Sequence, residues 1–395
     1  MSLATVAPRV VNRRAIALLA AGHLCTDLNQ GAMPALLPFF VAAHSLSYAQ
    51  AAGLVLAATV GSSIVQPLFG QYADRFPAVW LMPAGVLLAG AGLALTGLAG
   101  QYWLMAGLLI LSGLGVAAFH PEAARTMNAA TGPRKATGMS FFSVGGSAGF
   151  ALGPLVATGA GLAFGVRGTV LLVLPAILMA AVLFYQRRTL PRLAVAGPRA
   201  AAADGNERRD EWGHFSNLSV AVILRSVVFV GLNTFLPLYW VNRLHQPAGS
   251  GGLVLSLLLT CGLVGALIGG WLADRYTFRR LGVLASLALA PLLLLFVLST
   301  NSWLAGLLLL PIGILFQAPN SGVIVFAQEL LPSHIGVASG VTIGLSVSAG
   351  GIVAPALGWL ADHYSLELAL ATLAVLPLIV AIMIWTLPRR SSGRS

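Results

Sequence analysis

Long apolar runs recur along the whole chain and limit what it can fold into. A helix needs about 20 consecutive apolar residues to cross the roughly 30 Å hydrocarbon core of a bilayer. The runs show no alternation of polar and apolar residues, so they predict helices rather than barrel strands. Twelve spans are predicted: 15–42, 50–73, 79–99, 102–126, 136–163, 167–186, 215–241, 251–274, 281–299, 303–330, 335–360 and 366–387.

Composition agrees with a membrane fold. Of the 395 residues, 58% are hydrophobic and only 8% are charged, which leaves too few polar side chains to cover a water-facing surface. Arg9, Arg13 and Arg14 precede a first apolar run that is too long for the core of a signal peptide, so we expect this run to remain as the first helix. The expected class is an all-α integral membrane protein.

The net charge of +11 is distributed as a membrane topology requires. With the N-terminus in the cytoplasm, nearly all loop arginines and lysines lie on the cytoplasmic side, and only Arg167 and Arg243 lie outside. This is the positive-inside bias of inserted chains, so it predicts two cytoplasmic termini. The charge therefore needs no nucleic-acid partner to explain it.

The two halves of the sequence repeat each other. Gly70-Gln-Tyr-Ala-Asp-Arg75 returns 200 residues later as Gly270-Trp-Leu-Ala-Asp-Arg275, and this duplication predicts two pseudo-symmetric six-helix bundles. Such parallel repeats, with a site between them near the membrane midplane, characterise one large transporter class. The predicted division is a cytoplasmic N-terminus (1–14), an N-terminal bundle (15–186), a linker (187–214), a C-terminal bundle (215–387) and a cytoplasmic tail (388–395).

The repeated loops resemble the signature of the major facilitator superfamily. The second copy keeps trailing cations at Arg279 and Arg280, which the first copy lacks. Glycine permits close helix approach, and the aspartate can cap a helix or pair with arginine across the bundle gap in one conformation. A solvated loop charge is the alternative. The predicted gating residues here are Gly70, Asp74, Arg75, Gly270, Asp274 and Arg275.

The fifth span carries a stripe of small residues. Gly145, Gly149 and Gly153 recur at every fourth position, and Pro154 follows. The stripe resembles the antiporter motif of the same superfamily, which implies that Gly149, Gly153 and Pro154 control leakage between the two faces of the membrane. Close packing of helices is the alternative reading.

Three groups of residues carry a more specific resemblance. They are Gly22, His23, Asp27, Asn29, Gln30, Gly31 and Pro34; Phe119-His-Pro-Glu122; and Ser143 to Pro154. These residues resemble the fosmidomycin resistance protein family, which implies a major facilitator fold and a bacterial inner-membrane efflux protein that exchanges protons for a small drug-like solute. The fourth span lacks the arginine of many proton-driven exporters and has Leu109 near that place, so coupling needs other residues.

Asp27 is the first ionisable residue expected at membrane depth. It follows Arg14 by thirteen residues, which places it roughly 20 Å along the helix. A carboxylate there is costly unless it is protonated, paired or wet, so it indicates function. His23 and Gln30 share its helix face. We predict that Asp27 carries a proton or binds substrate and that His23 and Gln30 bind substrate; a buried hydrogen bond that orders packing is the alternative.

Arg225 is the second such residue, about 15 Å into the seventh span. Because arginine keeps its proton, it is expected to need an anion: Asp27, another carboxylate or the solute. Its fork suits a phosphonate or phosphate. We therefore predict a substrate ligand, with an internal ion pair as the alternative.

Further polar residues complete the predicted site. His120 and Glu122 flank Pro121 and are predicted to relay protons, although Glu122 could simply pair with Arg125 one turn away. Asn233, Gln317 and Asn320 are predicted to line the substrate cavity. Cys25 and Cys261 fit packing roles, and no metal or cofactor other than the proton is expected.

The predicted function is proton antiport by alternating access in a monomer whose partners are a small solute and membrane lipids. Proton-driven uptake or facilitated diffusion of a metabolite remains open, because sequence does not fix direction. A membrane enzyme is not expected, since no zincin pair, nucleophile elbow or phosphate-binding loop occurs. A sensor or a lipid translocase is a further alternative.

Overall fold

The computed structural model describes residues 11–76, 78–131, 135–187, 189, 209–334, 337–338 and 340–388, and the regular elements of these residues are helices. Their order in the N-terminal half follows the predicted spans. The helices of this half are α1 (Arg13–His44), α2 (Tyr48–Thr59), α3 (Gln66–Arg75), α4 (Leu81–Leu95), α5 (Tyr102–Ala130), α6 (Lys135–Phe164) and α7 (Val173–Gln186).

The C-terminal half has the same kind of order, and short irregular helices join several of the elements. The helices are α8 (Trp212–Asn242), α9 (Ala248–Arg275), α10 (Phe278–Leu298), α11 (Ser302–Gln317), α12 (Asn320–Leu330), α13 (Ser346–His363) and α14 (Leu366–Trp385). The connecting pieces are the 3₁₀ turns Thr96–Leu98, Gly165–Leu172 and Pro332–His334 and the π-helical stretches Val60–Ile64 and Gly340–Leu345.

The two six-helix bundles use the same pairings. α1 packs on α6 as α8 packs on α13, and α4 packs on α7 as α10 packs on α14. α4 also contacts α5, as α10 contacts α11. The repeated motifs in the sequence therefore correspond to repeated helix packing, and the predicted all-α fold of two pseudo-symmetric bundles is confirmed.

Within the described residues, nine stretches are long and apolar enough to cross a membrane. One of them, Thr137–Gln186, covers the two predicted spans 136–163 and 167–186, which the turn at Gly165 separates with a φ of 59°. α1 corresponds to the first predicted span, and α13 with the stretch before it corresponds to the eleventh. The order of elements is consistent with the twelve predicted crossings.

Two predicted spans are interrupted rather than continuous. The second changes from α2 through the π-helical stretch Val60–Ile64 to α3, which has Pro67 in its first turn. The tenth is split between α11 and α12 at Pro319. Proline lacks an N–H and clashes with the preceding turn, so it ends or bends a helix. The two π-helical stretches contact each other across the bundles, and such distortions often accompany function.

The stripe of glycines on α6 is the surface against which α1 packs. A Cβ atom at Gly145, Gly149 or Gly153 would overlap a backbone carbonyl of α1, at Ala20, Leu24 and Leu28 respectively. The clashing carbonyls are themselves four residues apart, so the two rows run alongside each other. Close backbone approach is therefore what these glycines provide.

At the end of the bundles where α1 turns into α2, the two halves are joined by hydrogen bonds. The carboxylate of Asp362 on α13 accepts from the backbone N–H groups of Tyr48 at 2.7 Å and Ala49 at 2.9 Å. Asn242 on α8 donates to the Tyr48 hydroxyl at 3.1 Å. A carboxylate from one bundle thus caps the first turn of a helix in the other, where it also faces the positive end of the helix dipole.

We expect Gly149→Ala to lower the free energy of unfolding of the purified protein by about 1–3 kcal/mol, because the added methyl must push α1 away from α6. Gly159→Ala is the matched control on the same helix, since its Cβ would meet nothing within 4 Å. Thermal unfolding in detergent checks the difference. Equal midpoints for the two variants would contradict this packing.

Candidate functional site

Three hydrogen-bond donors surround the Asp27 carboxylate near the middle of α1. His120 Nε2 from α5 lies 3.0 Å from Oδ1, and Gln30 Nε2 donates to the same oxygen at 2.9 Å. His23 Nε2 lies 3.1 Å from Oδ2. Asp27 is 8% exposed, so these donors replace the water that a carboxylate would otherwise bind. The structure therefore brings three of the predicted residues, His23, Gln30 and His120, into contact with Asp27.

The other ring nitrogen of His23 fixes its tautomer. Nδ1 lies 2.7 Å from the carbonyl oxygen of Phe142 on α6. A carbonyl only accepts hydrogen bonds, so Nδ1 carries a proton and donates it. The His23 and Phe142 rings are also stacked with centroids 4.0 Å apart. The imidazole is thus held in one orientation by backbone and ring contacts from another helix.

This tautomer places an extra proton between His23 and Asp27. With Nδ1 protonated, a neutral imidazole would point the lone pair of Nε2 at a carboxylate oxygen, and two acceptors repel each other. The 3.1 Å contact therefore requires a proton, carried either by Nε2 as imidazolium or by Oδ2 as carboxylic acid. His120 Nε2 can donate to Oδ1 while its ring is neutral. We call His23, Asp27 and His120 the proton cluster.

Gly146 on α6 lets the backbone lie directly against the proton cluster. A Cβ at this position would overlap the His23 ring and come within 2.8 Å of Asp27 Oδ2. The ligand-type atoms of the cluster all lie within 4.8 Å of one another, which is also the spacing of a metal site. The two Asp27 oxygens have three hydrogen-bond partners here, His23, His120 and Gln30.

Two chambers of similar size lie between the bundles beside this cluster. The first has a volume of about 230 Å³ and is lined largely by apolar side chains, together with Asn29, Gln30 and Asn233. The second, of about 220 Å³, is lined by Asp27, Gln317 and Asn320 among others. We call them the amide chamber and the carboxylate chamber. The predicted substrate residues Asp27, Gln30, Asn233, Gln317 and Asn320 thus all line one chamber or the other.

An aromatic pair separates the chambers. Phe150 from α6 and Phe229 from α8 line both of them, with ring centroids 6.2 Å apart. Phe316 stacks behind Phe229 at 5.6 Å with an interplanar angle of 16°. Because Phe150 and Phe229 come from different bundles, relative motion of the bundles changes the passage between the chambers.

Arg225 lies outside both chambers. Its guanidinium donates to the carbonyl oxygen of Phe316 at 2.5 Å and lies 4.9 Å from the centroid of that ring. Phe316 is in the last turn of α11, whose continuation Pro319 interrupts, so the cation caps carbonyls at the negative end of a helix. No carboxylate among the described residues pairs with it. The expected anion is replaced by a backbone carbonyl and an aromatic face.

Glu122 adopts the ion-pair alternative. Its side chain is fully buried and receives two hydrogen bonds from Arg125, at 3.0 Å and 2.5 Å. It makes no described contact with the proton cluster. This geometry favours a structural pair within α5, and the relay role of Glu122 stays a prediction.

The predicted gating residues are only partly described. The side chains of Asp74, Arg75 and Asp274 lie outside the described residues, and the guanidinium of Arg275 lies 5.7 Å from the Trp271 ring. A Cβ at Gly70 would come no closer than 4.0 Å to a neighbour, Pro121. Gly270 lies within α9. Pro154 lies inside α6, and its carbonyl oxygen is 2.8 Å from the position that a Cβ at Gly252 on α9 would take.

Several functional positions were not predicted from the sequence. Phe150 and Phe229 stand in apolar contexts without a charge pattern. Asp362 ends Gly358-Trp-Leu-Ala-Asp362, the same five residues as Gly270 to Asp274, and this repeat is a signal that could have found it. Asn29 belongs to the residues that carry the family resemblance, and no role in the site is predicted for it. The available signal was its place beside Gln30 and two residues after Asp27 in an otherwise apolar helix.

Comparison with known proteins gives a consistent result. The family model described as Major Facilitator Superfamily matches residues 19–355. The fosmidomycin resistance protein of Escherichia coli strain K12 is 30% identical over 366 residues, covering 92% of this chain and 90% of the relative. An uncharacterised MFS-type transporter of Bacillus subtilis strain 168, YfnC, is 28% identical over 377 residues, covering 93% and 90%.

Solved structures show the same fold at low identity. A bacterial homologue of the human lysosomal transporter Spinster, in an inward-facing and occupied conformation, superposes with a TM-score of 0.77 at 16% identity, covering 94% of this chain and 96% of that one. The nucleoside transporter NupG superposes with a TM-score of 0.72 at 15% identity, covering 94% and 98%.

We expect Arg125→Ala to destabilise the protein by about 3 kcal/mol, because it leaves the buried Glu122 carboxylate without a partner. The double variant Glu122→Ala with Arg125→Ala should recover most of that loss. Thermal unfolding of the purified proteins measures both. An unchanged midpoint for Arg125→Ala alone would show that Glu122 is not held by this pair.

Proposed function

The chain belongs to the Major Facilitator Superfamily, and from this premise we propose that it exports a small drug-like solute across a bacterial inner membrane in exchange for protons. Family and fold are those of a multi-pass membrane transporter rather than an enzyme. The direction of transport and the class of solute rest on the relative named for fosmidomycin resistance. Coupling to protons rests on the site itself.

The proton cluster is the observation that carries this proposal. It is buried, it borders the carboxylate chamber through Asp27, and its hydrogen bonds require one proton more than a neutral imidazole and a free carboxylate hold. Histidine changes charge in the physiological pH range, and strongly interacting groups titrate as a unit. A second proton can therefore be taken up or released by the cluster as a whole. We assign the coupling role to His23, Asp27 and His120 together.

Exchange follows when a proton and the solute exclude each other. In the state open to the cytoplasm, loss of the second proton leaves Asp27 able to interact with a solute in the carboxylate chamber. In the state open to the outside, reprotonation of the cluster weakens that interaction and the solute leaves. Mutual weakening of two ligands is reciprocal by thermodynamic linkage, so a proton gradient drives the solute outward.

Alternating access requires the inter-bundle contacts at the α1–α2 end to break. The predicted orientation puts this end outside. Three hydrogen bonds join the bundles in this half of the molecule. Asp362 accepts from the backbone at the start of α2, Asn242 donates to the Tyr48 hydroxyl, and the Ser256 hydroxyl donates to the Ala151 carbonyl at 2.6 Å. We propose that they close the external side in a conformation that faces inward, and that the bundles rock about the central cavity.

Arg225 enters this mechanism as a support rather than a ligand. The carbonyl of Phe316 that it binds precedes the break at Pro319, and the Phe316 ring backs Phe229. Arg225 therefore positions one half of the aromatic pair between the chambers.

Proton-driven uptake is the second candidate function, because the same cluster would couple inward movement if a proton and the solute bound together.

The coupling role predicts that Asp27→Asn abolishes accumulation of solute driven by a pH gradient in proteoliposomes, while exchange of labelled for unlabelled solute without a gradient persists. Fosmidomycin is the solute tested, with protein-free liposomes as the blank. Glu122→Gln is the comparison variant, and it should retain gradient-driven accumulation. Full accumulation by Asp27→Asn would contradict the assignment, and no movement of any solute by the native chain would contradict the function.

The closure at the α1–α2 end predicts that Asp362→Ala raises the outward-open population about tenfold, since roughly 1.4 kcal/mol changes an equilibrium tenfold and two hydrogen bonds to a carboxylate exceed that. Asn301→Ala is the matched control, because Asn301 caps only its own helix, at Trp303 and Leu304. Spin labels at Ala43 and Tyr364 report the opening as a longer distance. Identical distance distributions in both variants would rule out the closure.

A further inference from the structure

A third cavity opens between the first turns of α1 and α6. Its volume is about 450 Å³, which is larger than either chamber, and it shares no lining residue with them. We call it the α1–α6 cleft. Its apolar wall and its polar rim are formed by Ile16, Ala17, Ala20 and Phe141 and by Arg13 and Thr137, respectively.

The cleft faces the surrounding membrane rather than the central cavity. Phe141 precedes Phe150 by nine residues on α6, and at 3.6 residues per turn this spacing puts the two rings on opposite faces of the helix. Phe150 lines both chambers, whereas Phe141 is 57% exposed. Ala17 on α1 is exposed as well. The apolar wall is therefore accessible to lipid chains.

Arg13 places a cation at one end of the cleft. It is exposed, and within the described part of the chain neither Arg13 nor its neighbour Arg14 forms an ion pair. Ala20 lies seven residues further along α1, which is roughly 10 Å. The cleft thus runs from a cation at the predicted cytoplasmic interface through about a third of the hydrocarbon core.

Two helix N-termini add positive potential at the same place. α1 begins at Arg13 and α6 at Lys135, and neither helix has an acidic residue in its first turn. The end of α5 also reaches the cleft, but its carbonyls at Met127 and Ala130 already accept hydrogen bonds. The positive ends of the two helix dipoles are therefore available to an anion.

The chain segments that line the cleft contain no acidic residue. Neither aspartate nor glutamate occurs in residues 1–26 or in residues 123–203. A cation without a carboxylate in its own walls, beside an apolar surface, is complementary to an amphipathic molecule with a phosphate at one end. Basic pockets between transmembrane helices on the cytoplasmic side bind lipid headgroups in this way, and arginine binds phosphate with two parallel hydrogen bonds.

We propose that the α1–α6 cleft binds an anionic phospholipid of the cytoplasmic leaflet, with its phosphate on Arg13 and one acyl chain along Ala17, Ala20 and Phe141. The Thr137 hydroxyl lies on the same rim as Arg13. The site depends on the predicted orientation in the membrane. It depends on neither the proton cluster nor the solute, so it stands apart from the proposed transport function.

Native mass spectrometry of the full chain in detergent tests the class of lipid. Dioleoyl phosphatidylglycerol and dioleoyl phosphatidylcholine have the same chains, and only the first has a net negative charge. At equal concentrations, we expect about fivefold more bound phosphatidylglycerol, the effect of one favourable charge contact. Equal binding of the two lipids, or no lipid on the folded protein, would overturn the proposal.

Inorganic phosphate separates a lipid site from a plain anion site. Added in excess over phosphatidylglycerol, it should leave the bound lipid in place, because it has no chain to occupy the apolar wall. Displacement of the lipid by phosphate would overturn the proposal.

Charge variants locate the headgroup. Arg13→Gln should lower phosphatidylglycerol binding about fivefold. Arg14→Gln is the matched control, because Arg14 is the next residue of α1, has the same charge and does not line the cleft. It should leave binding nearly unchanged. Equal losses in the two variants would show a general attraction to surface charge and would overturn the site.

Filling the cleft locates the chain. Ala17→Phe should abolish phosphatidylglycerol binding, whereas Ala42→Phe, exposed at the other end of α1, should retain it. Unfolding midpoints show whether both variants are folded. Full binding by folded Ala17→Phe would overturn the proposal. Binding that begins only after removal of residues 2–8 would make the N-terminal segment of the chain the occupant of the cleft, and would overturn it as well.

Discussion

The buried Asp27 carboxylate is the constraint on which the rest of the structure depends. A charge at this depth is stable only with close donors, and these come from its own helix and from α5. His23 must in turn be held by the Phe142 carbonyl on α6. One carboxylate therefore connects three helices of the N-terminal bundle. The glycines of α6 allow α1 to approach closely enough for these hydrogen bonds to form.

The two bundles contribute unequally to the cavity. Among the described lining residues, the ionisable Asp27 comes from the N-terminal bundle, whereas amides and aromatic rings come from both bundles, through Gln30 and Phe150 on one side and Gln317 and Phe229 on the other. Arg225, a buried cation of the C-terminal bundle, holds a broken helix end. The groups to which we assign proton coupling therefore lie in one bundle.

Much of the fold could be predicted because a bilayer leaves few choices for a long apolar run. His23, Asp27 and Gln30 could be placed on one face because helical periodicity is local. The approach of His120 from another helix depends on packing, so the sequence indicated its chemistry without its partner. Arg225 was expected to meet an anion because charges are what sequence displays, whereas the carbonyl freed near Pro319 becomes visible only in three dimensions. The π-helical break at Val60–Ile64 likewise lies in an apolar run, and Pro67 is the sequence feature nearby that could have indicated it.

We propose that His23 and Asp27 share a proton and that the proton cluster gains another as the pH falls. Nitrogen-15 solid-state NMR of the histidine-labelled protein in lipid tests it most directly, with His23→Asn used to assign the signals. We expect Nδ1 of His23 to stay protonated throughout and one further histidine nitrogen of the proton cluster to gain a proton at low pH, a change that Asp27→Asn removes. A His23 ring with an unprotonated Nδ1, or a cluster whose signals do not change with pH, would contradict it.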